Sequence, residues 1–285
     1  YDGTSWSSGG NLGTARHYLA GAGTQSAGLC MGGVNGPRLN VTEEYNGVSW
    51  SSGGNIATTR DALAAAGTQT AGLCMGGNTG SYSAVTEEYD GTSWSSGGNL
   101  GTARGYLAGA GTQTAGLCMG GNTSSARSNI TEEYNGTAWS SGGNLGTARH
   151  AFAGAGTQSA GLCAGGHTGS ASNITEEYDG TSWSSGGNLG TARYYIAGAG
   201  TQSAGLCMGG LITGSTYSNA TEEYDGSAWS SGGNLATARS GLAGCGTQSL
   251  GLCMGGTTGS YSNVTEEYDP GPGSYDELFS PSQGL

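Results

Sequence analysis

The stretch Tyr-Asp-Gly-Thr-Ser-Trp-Ser-Ser-Gly-Gly-Asn-Leu begins at Tyr1 and returns in near-identical form at Tyr45, Tyr89, Tyr134, Tyr178 and Tyr224, at intervals of 44, 44, 45, 44 and 46 residues. A truncated seventh start follows, its Tyr at Tyr268, 44 residues after Tyr224. A fixed period of this length marks a repeat architecture, in which each unit buries its faces against its neighbours and the array forms one body. The period also corrects what composition suggests. With 61 glycines in 285 residues and only 34% apolar residues, the chain could pass for low-complexity sequence. Instead its apolar residues, turn formers and aromatics recur at fixed offsets, as packing requires.

One unit, residues 16–59, reads as four short strands. Tyr18-Leu19-Ala20-Gly21-Ala22-Gly23 is a run of mostly small apolar residues, and Gly23-Thr24-Gln25-Ser26 is turn-like. Ala27 to Met31 forms a second strand stopped by Gly32-Gly33, and a polar loop runs from Val34 to Asn40. Val41 to Tyr45 is a third strand, Asn46-Gly47 is a strong hairpin signal, and Ser49 to Ser52 is a fourth strand. Four antiparallel strands without helical periodicity predict an all-β, six-bladed propeller. The Ala-Gly-Ala-Gly strand, being least bulky, is expected nearest the axis, and the Trp-bearing strand at the rim. The predicted blades are 16–59, 60–103, 104–148, 149–192, 193–238, and 239–269 completed by 1–15. The N-terminal strand thus closes the ring as outer strand of the last blade, removing open sheet edges. Residues 270–285, with three of the four Pro, read as a tail or linker. The chain opens inside a repeat without Met, so a monomeric ring within a longer polypeptide is expected.

The order Arg, small apolar strand, apolar strand ending in Gly-Gly, acidic residue before Tyr, then Trp resembles the kelch repeat, in six copies from Tyr1 to Asp269. The resemblance implies that Gly32 and Gly33 end the second strand and that Tyr45 and Trp50 pack between blades, as do their equivalents. The Tyr-to-Trp spacing of five residues is shorter than in most kelch units, which shortens the outer hairpin. Near-identical copies of this kind also look like kelch-type units of phage structural proteins. Nothing in the sequence fixes a compartment; that likeness favours a virion or extracellular setting.

A net charge of −12 and the absence of lysine argue against nucleic acid and anionic membrane surfaces as partners, and no apolar run is long enough to span a bilayer. Six of the seven Cys (Cys30, Cys74, Cys118, Cys163, Cys207, Cys253) share one repeat position, a whole unit apart, and read as small buried hydrophobes. Cys245 lies eight residues before Cys253, where a local pair is conceivable. The Glu pairs, such as Glu43-Glu44 and Glu87-Glu88, alternate across a strand and cannot converge as a catalytic dyad. One Glu of each pair is expected to meet an Arg such as Arg16 or Arg60. Three His, no Cys-x-x-Cys and no nucleophile elbow leave no metal site, cofactor or catalytic residue to assign. The Asn-x-Thr sequons at Asn40, Asn129, Asn173, Asn219 and Asn263 recur at one strand start and read as strand-edge residues.

Gly-Thr-Gln is identical in all six first-to-second-strand turns, whereas the second-to-third-strand loops differ in sequence and length. The two residues after each blade's first Arg also vary: His17-Tyr18, Asp61-Ala62, Gly105-Tyr106, His150-Ala151, Tyr194-Tyr195 and Ser240-Gly241. In an up-and-down blade both varied segments emerge on one face, around one mouth of the channel. Unconstrained loops vary by drift, but the constancy of the opposite turns makes a recognition face the sharper expectation. The candidate binding residues are His17, Tyr18, Asn35, Arg38, Asp61, Asn78, Tyr82, Tyr106, Arg127, His150, His167, Tyr194, Tyr195, Tyr217 and Tyr261. Tyr, His, Asn and Ser around a mouth suit a glycan or a protein. The expected function is non-enzymatic binding, and the phage likeness points to a part in a viral fibre or surface protein. The alternatives are an enzyme using Asp61, His17 and His150 at the mouth, and a purely structural scaffold.

Overall fold

The computed structural model describes residues 5–269, a ring of six four-stranded antiparallel sheets with no helix among those residues. In the first complete blade β2 (Ala20–Thr24), β3 (Ala27–Met31), β4 (Thr42–Tyr45) and β5 (Trp50–Ser52) pair in chain order, with Ala20 opposite Met31, Cys30 opposite Glu43 and Tyr45 opposite Trp50. The remaining blades repeat this pattern. The last is closed by β1 (Ser5–Ser8), which pairs antiparallel with the strand Thr265–Asp269 in the register Ser5 with Asp269 and Ser8 with Glu266. The tail expected over 270–285 lies outside the described residues.

The small-residue strand is innermost, each one lying beside its counterparts in the two adjacent blades until the circle closes. Its composition follows from that crowding. A Cβ at Gly109 would sit 2.5 Å from the Ala65 carbonyl oxygen, and one at Gly198 would sit 2.7 Å from that of Gly154. A second glycine has an equally specific task. Leu29 of one blade inserts over Gly72 of the next, where a Cβ would come within 2.6 Å of its Cδ2; the same seat recurs at Gly28, Gly116, Gly161, Gly205 and Gly251. The core is therefore distributed between blades, in clusters such as Ala20, Leu29 and Met31 of one blade with Ile56, Leu63, Cys74 and Tyr89 around the next.

Polar bonds fix these seams. Trp94 donates its indole N–H to Thr42 Oγ1 of the preceding blade at 3.0 Å, and Tyr89 donates its hydroxyl to Glu44 at 2.5 Å. Gln69 Nε2 donates to the Gly28 and Tyr45 carbonyls, also of the preceding blade, at 3.0 and 2.7 Å. The closing seam has the same set: Trp50 to Thr265, Tyr45 to Glu267, and Gln25 to the Gly251 and Tyr268 carbonyls. The two Glu of each pair do face apart. Glu87 binds the fully buried Arg60 of its own blade at 2.7 Å, while Glu88 accepts from Tyr134 of the next.

The cysteines depart from the simple apolar expectation. Arg60 Nη2 lies 2.9 Å from Cys74 Sγ, and Arg16, Arg104 and Arg239 reach Cys30, Cys118 and Cys253 alike, so in these four blades the sulfur accepts from a guanidinium. Burial outweighs that cation and pushes the Cys74 thiol up to about 11. All seven thiols are free; Cys245 sits opposite Leu252 and Cys253 opposite Gly244, so no pair forms. At the sequons, Asn129, Asn173, Asn219 and Asn263 donate side-chain N–H to the Leu145, Leu189, Leu235 and Leu12 carbonyls, holding the linker that leads to the next blade.

Candidate functional site

Backbone bridges join the two varied segments of each blade. The residue after the core Arg pairs with the first residue of the second-to-third-strand loop: His17 with Val34, Asp61 with Asn78, Gly105 with Asn122, His150 with His167, Tyr194 with Leu211 and Ser240 with Thr257. The varied positions thus lie together at one end of the ring.

The next residue inward builds the mouth. Tyr18, Ala62, Tyr106, Ala151, Tyr195 and Gly241 all adopt left-handed backbone, with φ from 53° to 61°. That conformation costs a non-glycine residue roughly 1–2 kcal/mol. It is held because each N–H turns along the rim to the carbonyl of the preceding blade: Ala62 to Tyr18, Tyr106 to Ala62, Ala151 to Tyr106, Tyr195 to Ala151, Gly241 to Tyr195 and Tyr18 to Gly241, at 2.7–2.9 Å. The six bonds close on themselves as a hoop.

Side chains alternate around this hoop, Tyr in three blades and Ala, Ala and Gly in those between, which leaves room for three rings. Tyr18, Tyr106 and Tyr195 fill it, with centroids 5.0 Å (Tyr18–Tyr195), 5.4 Å (Tyr18–Tyr106) and 5.7 Å (Tyr106–Tyr195) apart. The three rings line a cavity of about 80 Å³ together with Leu19, Leu63, Leu107, Phe152, Ile196 and Leu242. Burial raises the pKa of all three hydroxyls, so they stay protonated. These three residues, expected as ligand contacts, pack on one another as a stopper at the mouth and remain half-buried.

Other predicted residues extend outward from it as a belt of rings. Tyr261, 45% exposed, stacks on His17 at 5.1 Å and 12°, and His17 lies 4.1 Å from Tyr18. On the far side His150 is 6.1 Å from Tyr106 and 5.1 Å from His167, which in turn is 5.1 Å from Tyr194. Burial is the main cause that holds His150 down at about 4, with smaller contributions from His167 and Arg127; His17 and His167 are lowered too, again mainly by burial. The imidazoles are neutral at pH 7.

Asp61 is buried and bound to Arg38 of the neighbouring loop at 2.7 Å, which ties two blades together. Asn78 caps its own loop by accepting from the Gly80 N–H at 2.9 Å. Tyr82 lies across the boundary on Gly105, where a Cβ would come within 2.6 Å of its ring. Beside it two adjoining clefts of about 310 and 340 Å³ share Tyr82 and Ser124; Asn78 lines the first, and Asn122, Arg127 and His150 the second. Arg127 Nη2 stands 3.4 Å from His167 Nδ1. Asn35 sits in a turn closed by its N–H to the Pro37 carbonyl, and Tyr217 pairs through its backbone with Leu211; neither joins the aromatic belt.

Among the described residues no three His, Cys, Asp or Glu side chains are grouped to hold a metal ion, and no helix is long and apolar enough to cross a membrane. The left-handed hoop was not anticipated from the sequence; Gly241, in the position that Tyr or Ala fills elsewhere, was its one local signal.

The class of protein defined by this geometry is a six-bladed β-propeller. No family model matches the chain, and a search of curated proteins found no relative.

Proposed function

We propose that this ring is a kelch-like recognition module that binds a glycan or protein ligand on the varied face and performs no chemistry on it. The observation that carries the reading is the continuous belt of Tyr and His, flanked by two clefts, assembled entirely from positions that differ between otherwise near-identical blades. Tyr supplies broad amphipathic contact area at small entropic cost, and clustered hydroxyl and amide groups supply hydrogen bonds. The propeller fold is consistent with such a role.

Binding is favoured over catalysis because the mouth's acid and base groups are engaged or neutral. Asp61 is neutralised by Arg38, and His150 is held as a neutral imidazole against other rings. Kelch-type identity is supported by the placement of the Arg–Glu pair, the Gly-Gly stop, and the Tyr and Trp at the seams.

The test presents the chain to a glycan array and to a displayed peptide library, beside a variant carrying Tyr82→Ala, Tyr194→Ala and Tyr261→Ala. These three residues lie outside the stopper, so the ring is expected to keep its far-ultraviolet CD spectrum and melting midpoint. Loss of captured ligands with the fold intact supports the reading. Capture that is identical for both proteins, or absent for both, overturns it.

A further inference from the structure

The charge of the chain is unevenly placed. Against a net −12, the six varied loops contain no Asp or Glu, and the paired positions after each Arg contribute Asp61 alone. The same segments hold Arg38, Arg127 and all three His. Arg38 is spent on Asp61, and the six core Arg are each spent on a Glu. Among the described residues, Arg127 is therefore the one guanidinium without a carboxylate partner. It lines the larger cleft, with His150 on its wall, His167 at 3.4 Å, and Tyr82 opposite on its Gly105 seat.

We infer that this cleft binds an anionic saccharide, with Arg127 taking its carboxylate or sulfate group and Tyr82 and the surrounding Ser, Thr and Asn side chains taking the sugar ring. The inference rests on the recognition reading above. Charge-assisted bonds from a guanidinium to a carboxylate or sulfate are the strong, directional kind. The shallow cleft, lined mainly by hydroxyl and amide groups, matches a ring of hydroxyls better than an extended peptide. A peptide would seek a free strand edge, whereas the loop backbone here is occupied by its own bridges. Gly105 is a positioning residue. At the corresponding place of the first blade stands His17, and Tyr261 stacks on its imidazole instead of lying against a bare backbone.

Surface-immobilised sialyllactose, trigalacturonate, a sulfated disaccharide, neutral lactose and chitotriose, and an acidic Glu/Asp octapeptide are each titrated with the wild type, Arg127→Gln and Gly105→Ala. Wild type should prefer at least one anionic sugar, and the carboxylate and sulfate arms identify the group. Arg127→Gln, at an exposed site, should lower that affinity about tenfold to a hundredfold, the range of a lost charged hydrogen bond. It should leave the weaker retention on neutral sugars unchanged. Gly105→Ala should weaken both by displacing Tyr82. Equal affinity for neutral and anionic sugars, an unaltered Arg127→Gln, or capture of the acidic peptide alone overturns the inference while the recognition reading stands. Binding of none of these probes overturns the inference, while the recognition reading falls only if the glycan array and peptide library capture nothing as well.

Discussion

The two ends of this ring are made from the same six blades and follow opposite rules. At one end every turn is Gly-Thr-Gln, and each residue has a task. Gly23 is left-handed, at φ 93°, Thr24 accepts from the Ala27 N–H at 3.1 Å, and Gln25 bonds the backbone of the preceding blade, with the same arrangement in the other five. At the other end the backbone is equally regular, but the side chains differ from blade to blade. Constancy at the first end therefore has a structural cause, and is not by itself a sign that the second is selected for binding. The positive case for the second end is what its differences build: one connected aromatic belt and one uncompensated cation.

This contrast can be broken in several ways. The largest effect is expected in the layer the two ends share, where Glu87→Gln strands the buried Arg60 and should cost about 3–5 kcal/mol in urea unfolding. A cost under 1 kcal/mol would mean that the layer is not what unites the blade. On the constant end, Gln69→Ala removes two inter-blade bonds and should cost about 1–2 kcal/mol. On the varied end Ser124→Ala, at an exposed loop position, should stay within about 0.5 kcal/mol of wild type. Equal losses at these two sites would erase the distinction. Ala62→Gly relieves a left-handed alanine and should raise stability by about 0.5 kcal/mol, the strain released less the added freedom of the unfolded chain. A fall in melting midpoint would show that the alanine methyl matters more to the mouth than its φ.

A further effect is on pH dependence. His150 has a folded pKa below its unfolded value of about 6.5. Its contribution is fully present above pH 6.5 and is lost as acid protonates the unfolded chain first, over the window from 6.5 down to about 4. His150→Gln should flatten the fall in urea midpoint between pH 7 and 5; an unchanged slope would place the titration elsewhere.

Much of the ring was readable before any coordinates, because the period repeats each strand signal six times. The small-residue strand had to be innermost, Asn46-Gly47 had to turn, and a final unit lacking its fourth strand had to borrow one from the N-terminal segment, which supplies Ser5–Ser8. The Arg–Glu pairing followed from residues kept in strict step. What stayed hidden depends on closure. Tyr18 meets Gly241 only across 223 positions of chain, and nothing in a Tyr announces a positive φ, so the hoop and its stopper were invisible. The Gln locks were hidden for the same reason, since the partner carbonyls carry no sequence signal. The acid-free character of the varied loops was legible throughout, and needed only a count of carboxylates by location instead of for the whole chain.

The hoop of peptide groups has an electrostatic consequence. Six amide dipoles laid nose to tail around a circle sum to almost nothing in any direction, unlike the additive alignment that gives a helix its charged ends. A ligand arriving over the axis meets no backbone field worth steering by, so whatever sign preference this mouth possesses must be written in its side chains.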